Sequence, residues 1–99
     1  MTDDEINTAI AAECGWTEIR QDQDWGWLGK PPGQPSKSWP VMHYSDDLNA
    51  MHEAERVLKE PDLYAVQLAQ VCGRDNFLFH ATALQRAKAF LRTLGKWRE

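Results

Sequence analysis

Leu63-Tyr-Ala-Val-Gln-Leu-Ala-Gln-Val71 is the stretch that decides the fold, because it reads two ways. Wound as a helix, it gathers Tyr64, Ala65, Leu68, Ala69, Val71 and Cys72 on one side, and its alanine, glutamine and leucine content favours that state. Extended as a strand, it sets Tyr64, Val66 and Leu68 on one face and Ala65, Ala69 and Val71 on the other. The residues that follow favour the strand. Cys72-Gly-Arg-Asp-Asn76 is turn chemistry, and Phe77-Leu-Phe-His80 beyond it has strand composition. A small sheet needs three or so strands to be stable, so a hairpin over 63–80 is expected.

The segment after this one is less ambiguous. Thr82, with Gln85 three residues on, forms a capping box at the start of a helix expected over 82–95. Ala83, Leu84, Ala87, Phe90, Leu91, Leu94 and Trp97 make a broad apolar stripe, and Gly95 supplies the stop. Lys88, Arg92 and Lys96 recur at four-residue spacing on another face, with Arg86 beside the stripe. Bases in the last turn suit the negative end of the helix dipole.

Before the ambiguous stretch, Ser45 or Asp46 can cap a helix expected over 46–59, with Asp46 and Asp47 at its positive end. Leu48, Met51, Ala54 and Leu58 share its inner face, and Pro61 ends it. Trp39-Pro-Val-Met-His-Tyr44 leads in as an extended run. At the other end of the chain, Thr2-Asp-Asp-Glu5 is a second capping box, opening a helix expected over 3–14. Its apolar face is Ile6, Ala9, Ile10 and Cys14, and Gly15 closes it. Trp16-Thr-Glu-Ile-Arg20 then has the composition of a short strand. Residues 21–38 are rich in Gly, Pro, Gln and Asp, and Pro31, Pro32 and Pro35 argue against regular structure there. Trp25, Trp27 and Leu28 sit within this loop and argue that part of it packs down.

Composition narrows the function classes. Ninety-nine residues make one domain, and 42% hydrophobic residues with five tryptophans suffice for a core, which excludes disorder as the general state. No apolar run reaches the roughly 18 residues of a membrane span. The acidic N-terminus lacks the basic start of a signal peptide, so a cytoplasmic protein is expected. Cys14 and Cys72 are expected to be free thiols there. The net charge is −4, yet residues 1–60 hold twelve acids and five bases, and residues 61–99 three acids and six bases. Such halves either steer a partner or satisfy each other when packed.

Three clusters carry candidate chemistry. His43, Asp46, Asp47, His52 and Glu55 are the densest polar group, but their spacing matches no established metal-ligand pattern, and no metal or other cofactor is expected. No glycine-rich phosphate loop, activated serine or CxxC pair is present, so no catalytic residues are assigned and an enzyme is not expected. The row Arg86, Lys88, Arg92 and Lys96 could follow a phosphate backbone, although a chain with pI near 5.3 lacks the strongly basic character of nucleic-acid binders. The stronger candidate is a protein-contact surface. Tryptophan is enriched at binding hot spots, and Trp25, Trp27, Leu28 and Trp39 lie among Gly and Pro residues; the acidic edge of the following helix, Asp46 and Asp47, is the other contact surface expected.

Two blocks carry a family likeness. Tyr44-Ser-Asp-Asp-Leu-Asn-Ala-Met-His-Glu-Ala-Glu55 and His80-Ala-Thr-Ala-Leu-Gln-Arg-Ala-Lys-Ala-Phe-Leu-Arg-Thr-Leu-Gly-Lys-Trp97 resemble the phage ABA-sandwich domain family. Ala12-Glu-Cys-Gly-Trp16 and the proline-rich loop match its layout, so the likeness covers most of the chain. Lys88 departs from it, standing where the family has an acid. The resemblance implies an α-β-α sandwich with helices packed on a small sheet, encoded by a phage or prophage, and supplies no catalytic residues. The expectation is therefore an α/β (α+β) domain with three helices and a small antiparallel-containing sheet. It would act in the host bacterial cytoplasm on a host or phage protein, in the sharpest form as an inhibitor of a host defence system. Nucleic-acid binding through the closing helix is the alternative.

Overall fold

A computed structural model describes residues 1–33, 36–73 and 81–98. In chain order they form α1 (Asp3–Glu13), β1 (Thr17–Asp22), β2 (Gly26–Lys30), β3 (Trp39–Pro40), α2 (Leu48–Glu55), α3 (Pro61–Cys72) and α4 (Ala83–Thr93). The class is α+β: a three-stranded antiparallel sheet, in the order β1-β2-β3, with helices. Four helices stand among the described residues instead of three.

The extra helix is the stretch that reads two ways. Residues 63–71 lie inside α3 and are not a strand. Pro61 occupies the first turn, where its missing N–H costs nothing, and Asp62 faces the positive end of the dipole. Alanine, glutamine and leucine propensity then prevails over the turn signal that follows. The turn signal marks the helix end, where the Gly73 amide donates to the Ala69 carbonyl (2.9 Å) and φ is +84°. The partner strand expected at 77–80 lies outside the described residues.

The sheet is built instead from residues 17–40, most of which the sequence assigns to an irregular loop. Asp22 explains the reversal. Its Oδ1 accepts hydrogen bonds from the backbone N–H groups of Asp24 (2.8 Å) and Trp25 (3.1 Å), which turns the chain so that Asp22 pairs with Gly26 and Gln21 with Trp27. Pro31 and Pro32 follow the last paired residue of β2, Lys30, so they end the strand without interrupting it. The register slips between Thr17 and Arg20, where Glu18 takes a φ of +52° and its carboxylate pairs with the Lys30 ammonium. On the open side of β2, Leu28 pairs with Pro40 and Gly29 with Trp39.

Gly29 is buried at the point where the sheet meets the core. A β-carbon placed there would lie 3.1 Å from Ile19 Cγ1 and 3.2 Å from Trp16 Cε3. Both neighbours are packed, so Gly29→Ala should cost about 1–3 kcal/mol through overpacking. Thermal unfolding checks this, with a fall in Tm of roughly 4–8 °C per kcal/mol expected for a domain of this size.

Helix α4 is the hub, packing against α1, α2 and α3, while the sheet leans on α1. Ala87, Phe90 and Leu91 are sealed from solvent together with Ile6 and Ile10 of α1, Met51 of α2, and Tyr64 and Leu68 of α3. Because helices surround α4, Ala89 is buried although it lies off the expected stripe, and Leu84, expected within the stripe, is exposed. Both α1 and α4 carry the capping box read from the sequence, and both end alike. The amides of Gly15 and Trp16 donate to the carbonyls of Ala12 and Ala11, and those of Gly95 and Lys96 to Arg92 and Leu91. This double bond pattern is the Schellman cap, for which Gly15 and Gly95 provide positive φ.

Helix α2 is shorter than the 46–59 expected. The amides of Asp46 and Asp47 are taken by the His43 carbonyl, so Asp47 becomes the cap, its Oδ1 accepting from the amides of Asn49 (3.0 Å) and Ala50 (3.3 Å). After Glu55 the chain tightens into i→i+3 turns at Val57 and Leu58. A buried bond from the Ser45 amide to Asn7 Oδ1 (2.8 Å) fastens this segment to α1.

Candidate functional site

The tryptophans separate by role. Trp16 lies in the core, and Trp27 packs against it from β2. Trp97 is partly buried, and the Lys88 ammonium stands 5.2 Å from its ring centroid. Two remain outside. Trp25, at the β1–β2 tip, is 73% exposed, and Trp39, on the outer strand β3, is 45% exposed. Trp25 is nonetheless held, because the Asp22 carboxylate fixes its backbone amide. With the backbone of the turn fixed, only the indole side chain itself has to be ordered when it is covered, which favours a hot spot.

Beside that tip lies a cleft of about 180 Å³, lined by Trp25, Gly26 and Trp27 of the hairpin, Pro40 and Val41, His43, Gln21, and Asp4 and Asn7 of α1. The sequence points to Trp25 and Trp27 here but not to Asp4 or Gln21, and it groups His43 with the acids of α2 instead of with the tryptophans. Asp4 reads as a helix-start acid, and only the sheet's packing against α1 brings it to the hairpin. Of the other expected contact residues, Leu28 is half-buried, Asp46 is exposed, and Asp47 is exposed but occupied as a cap. None of these three lines the cleft, nor does Trp39.

The basic row is engaged within the molecule. Arg86 Nη1 donates to both carboxylate oxygens of Glu55, at 3.1 and 3.3 Å, and the two side chains are only 14% and 19% exposed. Arg92 donates to Gln70 (3.4 Å), Lys96 lies 4.0 Å from Glu13, and Arg98 reaches Glu5 (3.4 Å). Three of these contacts join the basic end of the chain to acids of its first sixty residues. Much of the charge asymmetry is thus satisfied by packing, and Arg86 is turned away from any nucleic acid.

The His–Glu cluster divides in the same way. Glu55 faces Arg86, with His52 Nδ1 3.5 Å away, and no group of three or more metal-ligating side chains stands among the described residues. Tyr64 completes the junction of α2, α3 and α4. Burial first, and then the Glu55 carboxylate, push its hydroxyl above the ordinary tyrosine range, while Arg86 pulls the other way. The arrangement fastens three helices.

A larger cleft of about 490 Å³ lies between the Pro31–Pro32 turn and α2, with Cys14, Trp16, Met42 and Tyr44 in its lining. Burial raises the Cys14 thiol above its usual value and raises the Tyr44 hydroxyl as well. Both stay protonated at neutral pH, the opposite of an activated nucleophile. Among the described residues no helix is long and apolar enough to cross a membrane.

No family model matches the chain, and no curated protein or solved structure matches it either.

Proposed function

We propose that this chain is a phage- or prophage-encoded accessory protein that acts by protein–protein contact in the bacterial cytoplasm, with the β1–β2 hairpin as its contact surface. The observation that carries the reading is Trp25: a large aromatic side chain held 73% exposed on a turn fixed by Asp22. Burying such a ring contributes nothing to folding of the isolated domain but a great deal to an interface. Trp39, on the outer strand β3, is also exposed. The phage context comes from the likeness of residues 44–55 and 80–97 to the ABA-sandwich family. Inhibition of a host defence enzyme is the form of contact that context favours.

Trp25→Ala separates contact from stability. The variant should unfold within about 0.5 kcal/mol of the parent, because the ring is surface-exposed. It should also lose a stoichiometric partner that the parent captures from lysate of infected cells. Capture of the same partners in the same amounts by both proteins would remove the hairpin from the interface.

A further inference from the structure

The cleft beside Trp25 says more about the partner than that it is a protein. About 180 Å³ is well below the roughly 300–1,000 Å³ of small-molecule pockets, and suits a single inserted side chain. Two indoles, Trp25 and Trp27, contribute to its wall, and Asp4 and Gln21 bring oxygen acceptors. The neighbourhood is acidic: Asp3 and Glu5 flank Asp4, and Asp22 and Asp24 form the hairpin tip. Among the described residues the carboxylates of Asp4 and Asp24 make no ion pair, in contrast to Glu5, Glu13, Glu18 and Glu55. An aromatic wall beside carboxylates that lack a cationic side-chain partner attracts a cation and repels phosphate. Asp4 and His43 are the only His, Cys, Asp or Glu side chains in the lining, and no group of three or more of these that could hold a metal stands among the described residues.

We propose that this cleft seats an arginine side chain of the partner protein, its guanidinium against the Trp25 indole and its N–H groups directed to Asp4 and Gln21. Arginine fits better than lysine because its planar, weakly hydrated head stacks on indole and carries five donors in a fixed fork. The inference rests on the contact function proposed above and deepens it by naming the chemistry of the residue recognised.

The test uses the intact protein and a defined probe. The indole N–H signals of the five tryptophans are followed by NMR while the blocked tripeptide acetyl-Gly-Arg-Gly-amide is added, and again with its citrulline isostere, which keeps the planar shape without the charge. The signal lost in Trp25→Ala, and thereby assigned to Trp25, should shift saturably with the arginine peptide. Binding of the citrulline peptide should be at least about tenfold weaker, as expected when a desolvated cation–π contact and a charge-assisted hydrogen bond are both removed. Asp4→Asn, checked for an unchanged melting profile, should weaken the arginine peptide about fivefold. Equal binding of the two peptides, or no saturable shift up to roughly 50 mM, overturns the inference. Loss of a captured partner in Trp25→Ala alongside a silent arginine titration would leave the contact function standing and discard only the arginine. An arginine-specific titration with no Trp25-dependent partner would do the reverse.

Discussion

Replacing Phe90 with alanine should cost about 3–5 kcal/mol, the usual loss for truncating a fully buried aromatic side chain. Phe90 is completely sealed on α4, the helix that touches the other three, so its cavity would open where they converge. A domain of this size has about 5–15 kcal/mol of total stability. The variant should therefore stand near the edge of folding, with a urea midpoint far below that of the parent. Leu84→Ala on the same helix is the control. Leu84 is exposed and should change stability by no more than about 0.5 kcal/mol. Equal losses in the two variants would mean that α4 does not present the inner face described for it.

Arg86→Met is the second large effect, and a double variant gives it meaning. Removing the guanidinium leaves the Glu55 carboxylate and the raised Tyr64 hydroxyl in a site mostly shielded from water. Breaking a fully buried pair costs about 3–5 kcal/mol, and the residual exposure of these side chains places the expected loss near 3 kcal/mol. Changing Glu55 to Met as well removes the stranded charge, and the double variant should recover most of that loss. A denaturant cycle over the parent, both single variants and the double measures the coupling. If the double variant is as unstable as the sum of the singles, the pair is not the interaction that joins α2 to α4.

Helix boundaries were legible wherever a local chemical signal set them. Thr2 with Glu5, Thr82 with Gln85, Gly15 and Gly95 each act through bonds closed within five residues, so neighbours in sequence suffice to predict them. The sheet was misplaced because its signal was weak on both sides of the chain. Gly26-Trp-Leu-Gly-Lys30 has two glycines and no β-branched residue, and it is strand only because Asp22 turns the chain back onto β1. Leu63–Val71 offered strand periodicity by chance, while Pro61 and Asp62 set its helical start. The candidate site was half legible. Trp25 and Trp39 stood out by residue type, but Trp27 is drawn against the core, and Asp4 reaches the hairpin only through the packing of the sheet on α1. The ion pairs of the basic end were illegible for the same reason: Glu55, Glu13 and Glu5 are remote in sequence from Arg86, Lys96 and Arg98.

The central position of α4 also bears on how the chain acquires its structure. The β1–β2 hairpin closes through near neighbours, and such hairpins form in about 1–10 µs. The core cannot do likewise, because its hub lies some eighty residues from its partner α1 and contacts of that separation form late. During synthesis the hairpin would close only transiently, since two strands alone are marginally stable, while α1, α2 and α3 still lacked the surface that covers them. A nascent chain would thus expose Trp25 and Trp39 before it has a stable body to carry them.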